Sequence, residues 1–399
     1  MKLFKYFCLL SFMASCSSEQ TPQELLSVDL RSGMDHPSML ALQDEIESVE
    51  YIPLETTVDP ASLLDGVSEY AVTSNYIYVS PVKEQRIVQF DRKGQFVKTL
   101  IPFGQGPGEF SDFLMGMQAD EKNNRLYLFS SNKIMVYTLD GEFIQSLNHD
   151  YTIVYQRMVG KDCFASVAFP YVPFESGSYG LGVFSDKADT IAMKNDFSSP
   201  LVSHEKAGFT IALATAYSDM EESVLFKTGS NDTVFRVTAD DILPACVLRT
   251  GNSDKEVIRS LDATDFSSLK RKFGEDYDIF VSDMFETPFN YYFRCRYNAG
   301  HYVASVHKKT GQVLAEKCAQ PGDIRALGDA NLLYGMLGTK SYQDFPVWGR
   351  TQGDCLVQLL TAYELHLYKE KCNITVPPEL KEVNDDSNPV FIVYKLRRV

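Results

Sequence analysis

The stretch RIVQFDRKGQFVKTL (residues 86–100) recurs 47 residues later as KIMVYTLDGEFIQSL (residues 133–147), and the match contains no gap. Each copy alternates apolar and polar residues, passes through a glycine and then alternates again. The glycine is Gly94 in the first copy and Gly141 in the second. This pattern is typical of a β-hairpin. A gapless internal repeat argues against a β-sandwich or two unrelated β-domains, and it predicts a repeat architecture.

A further apolar strand precedes each of these hairpins, and weaker copies of it follow along the chain. Six such leading strands start near residues 76, 126, 163, 224, 292 and 356. Their spacing fits the blades of a β-propeller, which repeat every 40–50 residues or so, when variable loops are added. The sequence therefore predicts an all-β fold, a six-bladed β-propeller, in which a large chain stays soluble because few strand edges are open.

The two ends of this repeat region indicate how the ring closes. The stretches VEYIPL (residues 49–54) and PVFIVYK (residues 389–395) are both strand-like. We expect one of them to complete a blade that the other begins. Two other stretches predict short helical insertions: residues 253–273, which open with a capping box, and residues 362–369.

The first residues of the chain indicate export. Lys2 and Lys5 precede a short apolar run at residues 6–14, which falls well below the roughly 20 residues that a membrane-spanning helix needs. The stretch MASC (residues 13–16) resembles a lipobox, which implies cleavage before Cys16 and lipid attachment to it. The alternative is an ordinary signal peptide with a chance cysteine. We expect a signal peptide at residues 1–15, a lipid-anchored tether at residues 16–39 and the propeller at residues 40–399.

The composition limits the partners of the protein. The formal net charge of −15 repels phosphate backbones, so nucleic acid is not an expected partner. The hydrophobic fraction of 44% is sufficient for a large core. We expect the membrane as a partner through the lipid anchor, and a glycan or an envelope protein as a ligand.

No motif predicts a catalytic residue, a metal ligand or a cofactor. The stretch GQGPGE (residues 104–109) lacks the Gly-Lys-Ser/Thr ending of a phosphate-binding loop, and we interpret it as a tight turn between two blades. The cysteines that remain after export have no metal-ligand spacing, and we interpret most of them as small buried hydrophobes; they are Cys163, Cys246, Cys295, Cys318, Cys355 and Cys372. A divalent metal bound in the channel by residues of several blades stays open as an alternative.

Two long aromatic loops supply the candidate ligand-binding residues. One loop (residues 169–179) contains Tyr171, Phe174 and Tyr179, and the other (residues 342–350) contains Phe345 and Trp348. Aromatic rings with polar neighbours suit the faces of sugars and the contact points of peptides. The alternative is that these rings cap the hydrophobic ends of the propeller.

Several stretches resemble the six-bladed β-propeller lipoproteins of Bacteroidetes, which are related to NHL-repeat propellers. They are YIPLETT (51–57), IVQFD (87–91), FGQGPGEF (103–110), SNDTVF (230–235) and NPVFIVYK (388–395). The resemblance implies this fold and an outer-membrane location, on the periplasmic side or at the cell surface. It implies no catalytic residue, and it slightly favours a connection with glycans.

Together these observations predict a membrane-anchored recognition propeller rather than an enzyme. Its ligand would be a glycan, a peptide or a partner protein. The first alternative is a lactonase-like hydrolase or a lyase that uses a metal in the channel. The second is a structural component of an envelope complex.

Overall fold

The computed structural model describes most of the chain after residue 24. The described residues are 25–38, 40, 42–57, 59–84, 86–106, 108–130, 133–148, 153–160, 162–168, 181–187, 189–194, 216–220, 222–227, 232–250, 279–318, 349–371 and 376–398.

The described strands form six antiparallel four-stranded sheets, the blades of a β-propeller, and one blade carries an additional strand. In chain order the strands are β1 (Leu26–Asp29), β2 (Ile46–Pro53), β3 (Val67–Val72), β4 (Tyr76–Pro81), β5 (Ile87–Asp91), β6 (Phe96–Ile101), β7 (Gly116–Asp120), β8 (Arg125–Phe129), β9 (Lys133–Tyr137), β10 (Phe143–Asn148), β11 (Ile153–Met158), β12 (Cys163–Ala168), β13 (Leu181–Ser185), β14 (Thr190–Lys194), β15 (Ala216–Met220), β16 (Ser223–Lys227), β17 (Thr233–Val237), β18 (Ile242–Arg249), β19 (Ile279–Glu286), β20 (Asn290–Tyr297), β21 (Gly300–His307), β22 (Val313–Cys318), β23 (Gly349–Gln352), β24 (Cys355–Leu360) and β25 (Val390–Leu396).

Each blade consists of consecutive strands, numbered from the innermost strand outward. Blade 1 is β3–β6, blade 2 is β7–β10, blade 3 is β11–β14, blade 4 is β15–β18, blade 5 is β19–β22, and blade 6 is β23, β24, β25 and β2. We call the end of the propeller at which the innermost strands begin the start face, and the opposite end the end face. Because neighbouring strands alternate in direction, the connections between blades lie at the start face. The turn that follows each innermost strand lies at the end face.

The predicted leading strands are the second strands of the six blades. They begin at residues 76, 125, 163, 223, 290 and 355, within two residues of the predicted starts. The two copies of the repeat are the outer hairpins of blades 1 and 2. The prediction of a six-bladed β-propeller is therefore confirmed.

The two repeat-related glycines have the same structural role in successive blades. Gly94 and Gly141 have φ angles of +81° and +91°, a region that L side chains rarely adopt. A Cβ atom on Gly94 would overlap the carbonyl oxygen of Pro53, and one on Gly141 would lie 2.9 Å from that of Leu100. Each glycine thus lets an outer hairpin turn pack against the backbone of the preceding blade's outer strand.

The ring closes within blade 6, as the ends of the repeat region predict. Strand β2, from the start of the chain, pairs antiparallel with β25, from its end, and supplies the outermost strand of this blade. The pairing extends from Ile46 opposite Leu396 to Pro53 opposite Val390.

Described residues before β2 also pack on the propeller. Strand β1 pairs in parallel with β18, and helix α1 (Arg31–Met34) packs on β22. Val28, Leu30 and Met34 are buried because alternate side chains of this segment enter the core of blades 4 and 5. We call residues 26–38, 40 and 42–45 the strap, since they pass along the outside of these blades to reach blade 6.

A buried carboxylate fixes the end of the strap to blade 5. Glu45 accepts hydrogen bonds from Asn290 Nδ2 (2.6 Å) and from the hydroxyls of Thr287 and Tyr292. Earlier in the strap, the amide of Ser38 donates to the carbonyl of Ala315 (2.7 Å). Buried polar groups that are paired in this way stabilise one docking geometry.

The second α-helix of the described residues, α2 (Ala362–Lys371), confirms the insertion predicted at residues 362–369. The predicted helix at residues 253–273 lies outside the described residues. In the described part of the chain, no helix combines the length and the apolar character that crossing a bilayer requires.

The core lies between neighbouring blades. One apolar cluster joins Val357 and Phe391 of blade 6 to Val88 and Phe90 of blade 1. Each fully buried side chain of this size stabilises the fold by about 1.5–3 kcal/mol. The end-face turns are therefore held on a rigid frame.

Candidate functional site

A cavity of about 720 Å³ opens at the mouth of the central channel on the end face. Turns that follow the innermost strands of five blades form most of its wall: Thr73 and Ser74 of blade 1, residues 120–123 of blade 2, Gly160 of blade 3, Glu222 of blade 4 and residues 352–355 of blade 6. Cavities of this volume hold small ligands or single protruding side chains.

The wall of the cavity carries more acidic than basic side chains. Its carboxylates belong to Glu50, Asp120, Glu121, Glu222 and Asp354. Its cations are Arg92, which is ion-paired with Glu50, and Lys122. The charges partly cancel, but the excess of carboxylates makes the mouth electronegative.

The turn of blade 2 is held rigid by its own acidic residues. Asp120 is buried and accepts hydrogen bonds from the backbone amide (3.1 Å) and the side-chain amide (2.6 Å) of Asn123. Glu121 reaches blade 1, where it accepts hydrogen bonds from the amide (2.9 Å) and the hydroxyl (2.5 Å) of Ser74. Adjacent turns of the mouth are thus fixed to each other.

An ion pair spans the mouth above blade 3. Lys122 Nζ of blade 2 lies 3.2 Å from Glu222 Oε1 of blade 4, and both side chains are at least three-quarters exposed. An exposed pair of this kind contributes little to stability. A charged ligand can therefore compete for either partner at low cost.

Two glutamines connect the innermost strands of neighbouring blades below the turns. Gln118 Oε1 accepts from the amide of Met158 (2.8 Å), and Gln352 Oε1 accepts from the amide of Val72 (2.8 Å). Both glutamines line the cavity. Each glutamine thus accepts a hydrogen bond from a backbone amide at the channel-facing edge of the next blade. These bonds set the spacing of the blades around the channel.

The turn of blade 6 places a carboxylate and a thiol side by side. Burial alone raises the pKa of Asp354, but hydrogen bonds from Arg398 (3.0 Å) and Cys355 (3.5 Å) outweigh burial and hold that pKa below its ordinary value. Burial, reinforced by the charge of Asp354, raises the pKa of Cys355 to about 12. The thiol therefore stays protonated near neutral pH and is a poor nucleophile.

Three further cysteines are free thiols, and two of them also have raised pKa values. Cys163, Cys246 and Cys295 carry free thiols. Burial raises the pKa of Cys163, and it raises that of Cys246 to about 12. Cys246 and Cys295 are buried in the core, which agrees with their interpretation as small hydrophobes.

Residues 104–106 and 108–109 lie in the connection between blades 1 and 2 at the start face. The amide of Gly106 donates to Glu109 Oε2 (2.8 Å), and the amide of Glu109 donates to the carbonyl of Gly106 (3.0 Å). These two hydrogen bonds close the chain on itself between Gly106 and Glu109, which agrees with the interpretation as a tight turn.

The predicted ligand-binding residues lie outside the described residues: Tyr171, Phe174, Tyr179, Phe345 and Trp348. Cys16 also lies outside them. The strands that flank the two aromatic loops are described, however. β12 and β22 end at the start face, and β13 and β23 begin there. Both loops therefore connect strand ends on the face opposite the cavity.

Three exposed aromatic side chains are described on the start face. Phe103 and Phe113 lie in the connection between blades 1 and 2, and Tyr363 lies on α2. Phe113 is 74% exposed, an unusual position for a ring of this size. Among the described residues, no group of three or more His, Cys, Asp or Glu side chains is arranged to hold a metal ion.

Comparisons with known proteins identify relatives for nearly the whole chain. The family model described as domain of unknown function DUF4934 matches residues 25–395. A crystal structure from Bacteroides fragilis, of a protein described as exported, shares 16% identity over 94% of this chain and 99% of its own length, with a TM-score of 0.67. A DUF4221 member from Bacteroides vulgatus shares 11% identity over 89% of this chain and 98% of its own, with a TM-score of 0.47. No curated protein matches the chain.

Proposed function

We propose that this chain, which belongs to the DUF4934 family, is a lipid-anchored recognition protein of the cell envelope. Its end-face cavity would bind a Lys or Arg side chain presented by a peptide or a partner protein. The observation that carries this proposal is the electronegative cavity of about 720 Å³ at the mouth of the channel.

The charge of the cavity favours a cationic ligand. Glu121, Glu222 and Asp354 lie on turns whose backbone is already ordered. Little further conformational entropy of the backbone is therefore lost when a ligand binds. The negative charge of the whole chain, formally −15, attracts a cation from a distance as well. Complementary charge of this kind raises the association rate and excludes anionic partners.

The wall of the cavity fits a peptide better than a sugar. None of the described residues that line it is aromatic, whereas sugar faces are commonly recognised by stacking on aromatic rings. The apolar parts of the wall, such as Met117, Met158 and Val357, suit the methylene stem of a long basic side chain.

Binding can be measured on the mature chain with Cys16→Ser, using fluorescent peptide libraries with Lys, Arg or Gln at one central position. We expect the Lys and Arg members to bind and the Gln members to fail. The triple variant Glu121→Gln, Glu222→Gln, Asp354→Asn should weaken binding about tenfold or more. A control with three exposed carboxylates outside the cavity, Glu47→Gln, Glu142→Gln, Asp189→Asn, should retain it.

A second variant tests the cavity by filling it. Gly353 lines the mouth at φ +61°, and no atom lies within 4 Å of an ideal Cβ there. Asn tolerates this backbone region, so Gly353→Asn should fold and still reduce peptide binding. Equal binding by the parent and by both cavity variants would refute a site in the cavity.

The proposed anchor rests on the lipobox-like MASC (residues 13–16) and on the absence of any later run of about 18 apolar residues. A relative of similar fold that is described as exported supports an envelope location. Incorporation of labelled palmitate into the parent chain and its loss in Cys16→Ala would verify the attachment. Protease treatment of intact cells would separate the periplasmic side from the surface.

A second candidate function is glycan binding on the start face. The exposed rings of Phe103, Phe113 and Tyr363 favour it, as does the attachment of both predicted aromatic loops to this same face. A glycan array with the parent, Tyr171→Ala and Trp348→Ala tests this candidate. Glycan binding that is lost in these variants, but kept in the cavity triple variant, would assign recognition to the start face.

A further inference from the structure

The fold determines where the chain leaves the propeller on its N-terminal side. Leu26 pairs with Cys246 on the outermost strand of blade 4. Leu25 therefore lies at the level of Ala245, on the outer rim of the molecule and far from both the channel and the end-face cavity. Blade 4 is three blades away from blade 1, so the exit point and the rim of blade 1 lie on opposite sides of the ring.

The exit point lies within an exposed apolar stretch of this rim. Leu25 is 42% exposed and Leu243 is 55% exposed; two residues of strand, about 7 Å, separate their levels along β18. Strand β14, the outer strand of blade 3, packs against β18 and exposes Ile191 (43%) and Met193 (41%). Three exposed apolar side chains on two adjacent outer strands, together with Leu25 beside them, form a surface that suits the boundary of a lipid layer.

The length of chain between Cys16 and Leu25 restricts the orientations that a lipid anchor allows. Nine residues span at most about 30 Å when fully extended. A compact protein of this length is about 50 Å across. A lipid on Cys16 therefore cannot reach a membrane that touches the rim of blade 1. Contact through the end face would press its electronegative mouth against anionic headgroups, which repel it.

From these observations we infer that the rim formed by β14 and β18 faces the membrane, with Leu25, Ile191, Met193 and Leu243 against the lipid surface. The propeller then stands on its edge, and the end face opens parallel to the membrane plane. This inference rests on the proposed lipid anchor at Cys16. Its occupant is the lipid surface, and contact through the start face is an outcome that the experiment distinguishes.

The experiment uses the full-length lipidated chain on vesicles of phosphatidylethanolamine and phosphatidylglycerol that contain a nitroxide-headgroup lipid as quencher. A fluorophore is attached to one of three exposed positions: Leu243→Cys on the rim of blade 4, Val97→Cys on the rim of blade 1, or Phe113→Cys on the start face. The parent chain, labelled in parallel, gives the background from native thiols. We expect the label at 243 to be quenched about twofold more than the other two.

Each other outcome identifies what failed. If the chain does not co-float with the vesicles, the proposed lipid anchor is refuted, and this inference is refuted with it. Chain that co-floats with equal quenching at the three positions, or with the strongest quenching at 97, would leave the anchor intact and overturn the orientation. Strongest quenching at 113 would assign the start face to the membrane instead.

A second measurement separates the apolar rim from the short tether. A Gly/Ser insert of about 30 residues after Ser18 releases the length restriction, since such a chain is flexible. The quenching order should persist in this lengthened chain and disappear when Ile191→Asp and Met193→Asp are added. The same chain with Val49→Asp and Ile144→Asp, two exposed positions on the outer strands of blades 6 and 2, should keep the order. Loss of the order in the lengthened chain without any rim substitution would refute the contact of the apolar rim with lipid.

Discussion

Arg236 of blade 4 holds the fully buried carboxylate of Glu286 of blade 5 through two hydrogen bonds, Nη2 to Oε2 at 2.7 Å and Nη1 to Oε1 at 3.1 Å. Lys308 Nζ adds a third contact at 2.6 Å to Oε2. Burial alone lowers the pKa of Arg236, but Glu286 outweighs it and raises that pKa, so the guanidinium stays charged. One anion thus joins two blades by neutralising cations from both.

Replacing Glu286 should lower the free energy of unfolding far more than replacing a carboxylate at the surface. Glu286→Gln leaves two partly buried cations without their counter-charge, and we expect a loss of about 3 kcal/mol in the free energy of unfolding. Glu222→Gln is the matched control, because it removes the exposed partner of another pair that joins two blades; its loss should stay below about 1 kcal/mol. Urea unfolding followed by circular dichroism measures both, and equal losses would contradict the structural role of Glu286.

The repeat-related glycines allow a second comparison. Gly94→Ala combines an unfavourable positive φ, about 1–2 kcal/mol, with overlap against Pro53, about 1–3 kcal/mol. Gly353→Ala has a positive φ as well (+61°), but its Cβ meets no atom within 4 Å, so only the first cost applies. Thermal unfolding should show a clearly larger loss for Gly94→Ala. Similar losses would mean that the hairpin turn does not pack on the preceding blade as described.

The strap should behave as part of the core. Leu30 is fully buried, whereas Leu25, five residues earlier, is 42% exposed. We expect Leu30→Ala to destabilise the protein by about 2–5 kcal/mol and Leu25→Ala to have almost no effect. Chemical unfolding of the Cys16→Ser chain measures this difference. A negligible effect of Leu30→Ala would mean that the strap does not pack into the core as described.

Stability should fall at alkaline pH. Burial raises the pKa of Tyr51 and of Tyr78 to about 12, whereas an unfolded tyrosine titrates near pH 10. A group whose pKa is raised by folding contributes stability that is fully present below pH 10 and lost as the pH approaches 12. Cys246 and Cys355 act in the same direction, from about pH 9. Lys308, whose pKa burial lowers, opposes the trend.

Two titrations check this prediction. The urea midpoint should decline from about pH 10 upward, and the tyrosinate absorbance of the folded protein should rise in two steps near pH 10 and pH 12. A single step near pH 10, with the circular dichroism spectrum unchanged, would show that these tyrosines are not buried as described.

Strong local patterns made the blades predictable from sequence. The hairpin at residues 86–100 alternates along its length, and its copy supplies the period of the repeat. The innermost strands escaped detection because polar residues interrupt their apolar pattern. In β7, Gly116 and Gln118 interrupt the apolar pattern. The side chain of Gln118 is polar because it accepts a hydrogen bond from the amide of Met158 in blade 3. Strand β1 was missed although Leu26 and Val28 alternate with polar residues, because polar sequence surrounds it.

The candidate site was not predictable in the same way. Ser74, Glu121, Glu222 and Asp354 are separated by up to 280 residues, and each sits on a turn whose sequence is ordinary for a turn. Only the circular arrangement of the blades brings them to one mouth. The sequence predicted ligand-binding residues in the aromatic loops instead. A cluster of aromatic residues can be recognised within one short stretch of sequence, whereas a ring of turns from several blades cannot.

The pairing of Ile46 with Leu396 makes folding of this chain depend on its own completion. Contacts of such long sequence separation form slowly, and β2 has no partner until the last strand has been synthesised. A chain cut short before Val390 would keep two unpaired strand edges, which template aggregation and leave the segment open to proteolysis. Closure of the ring therefore waits for β25, whatever the order in which the other blades form.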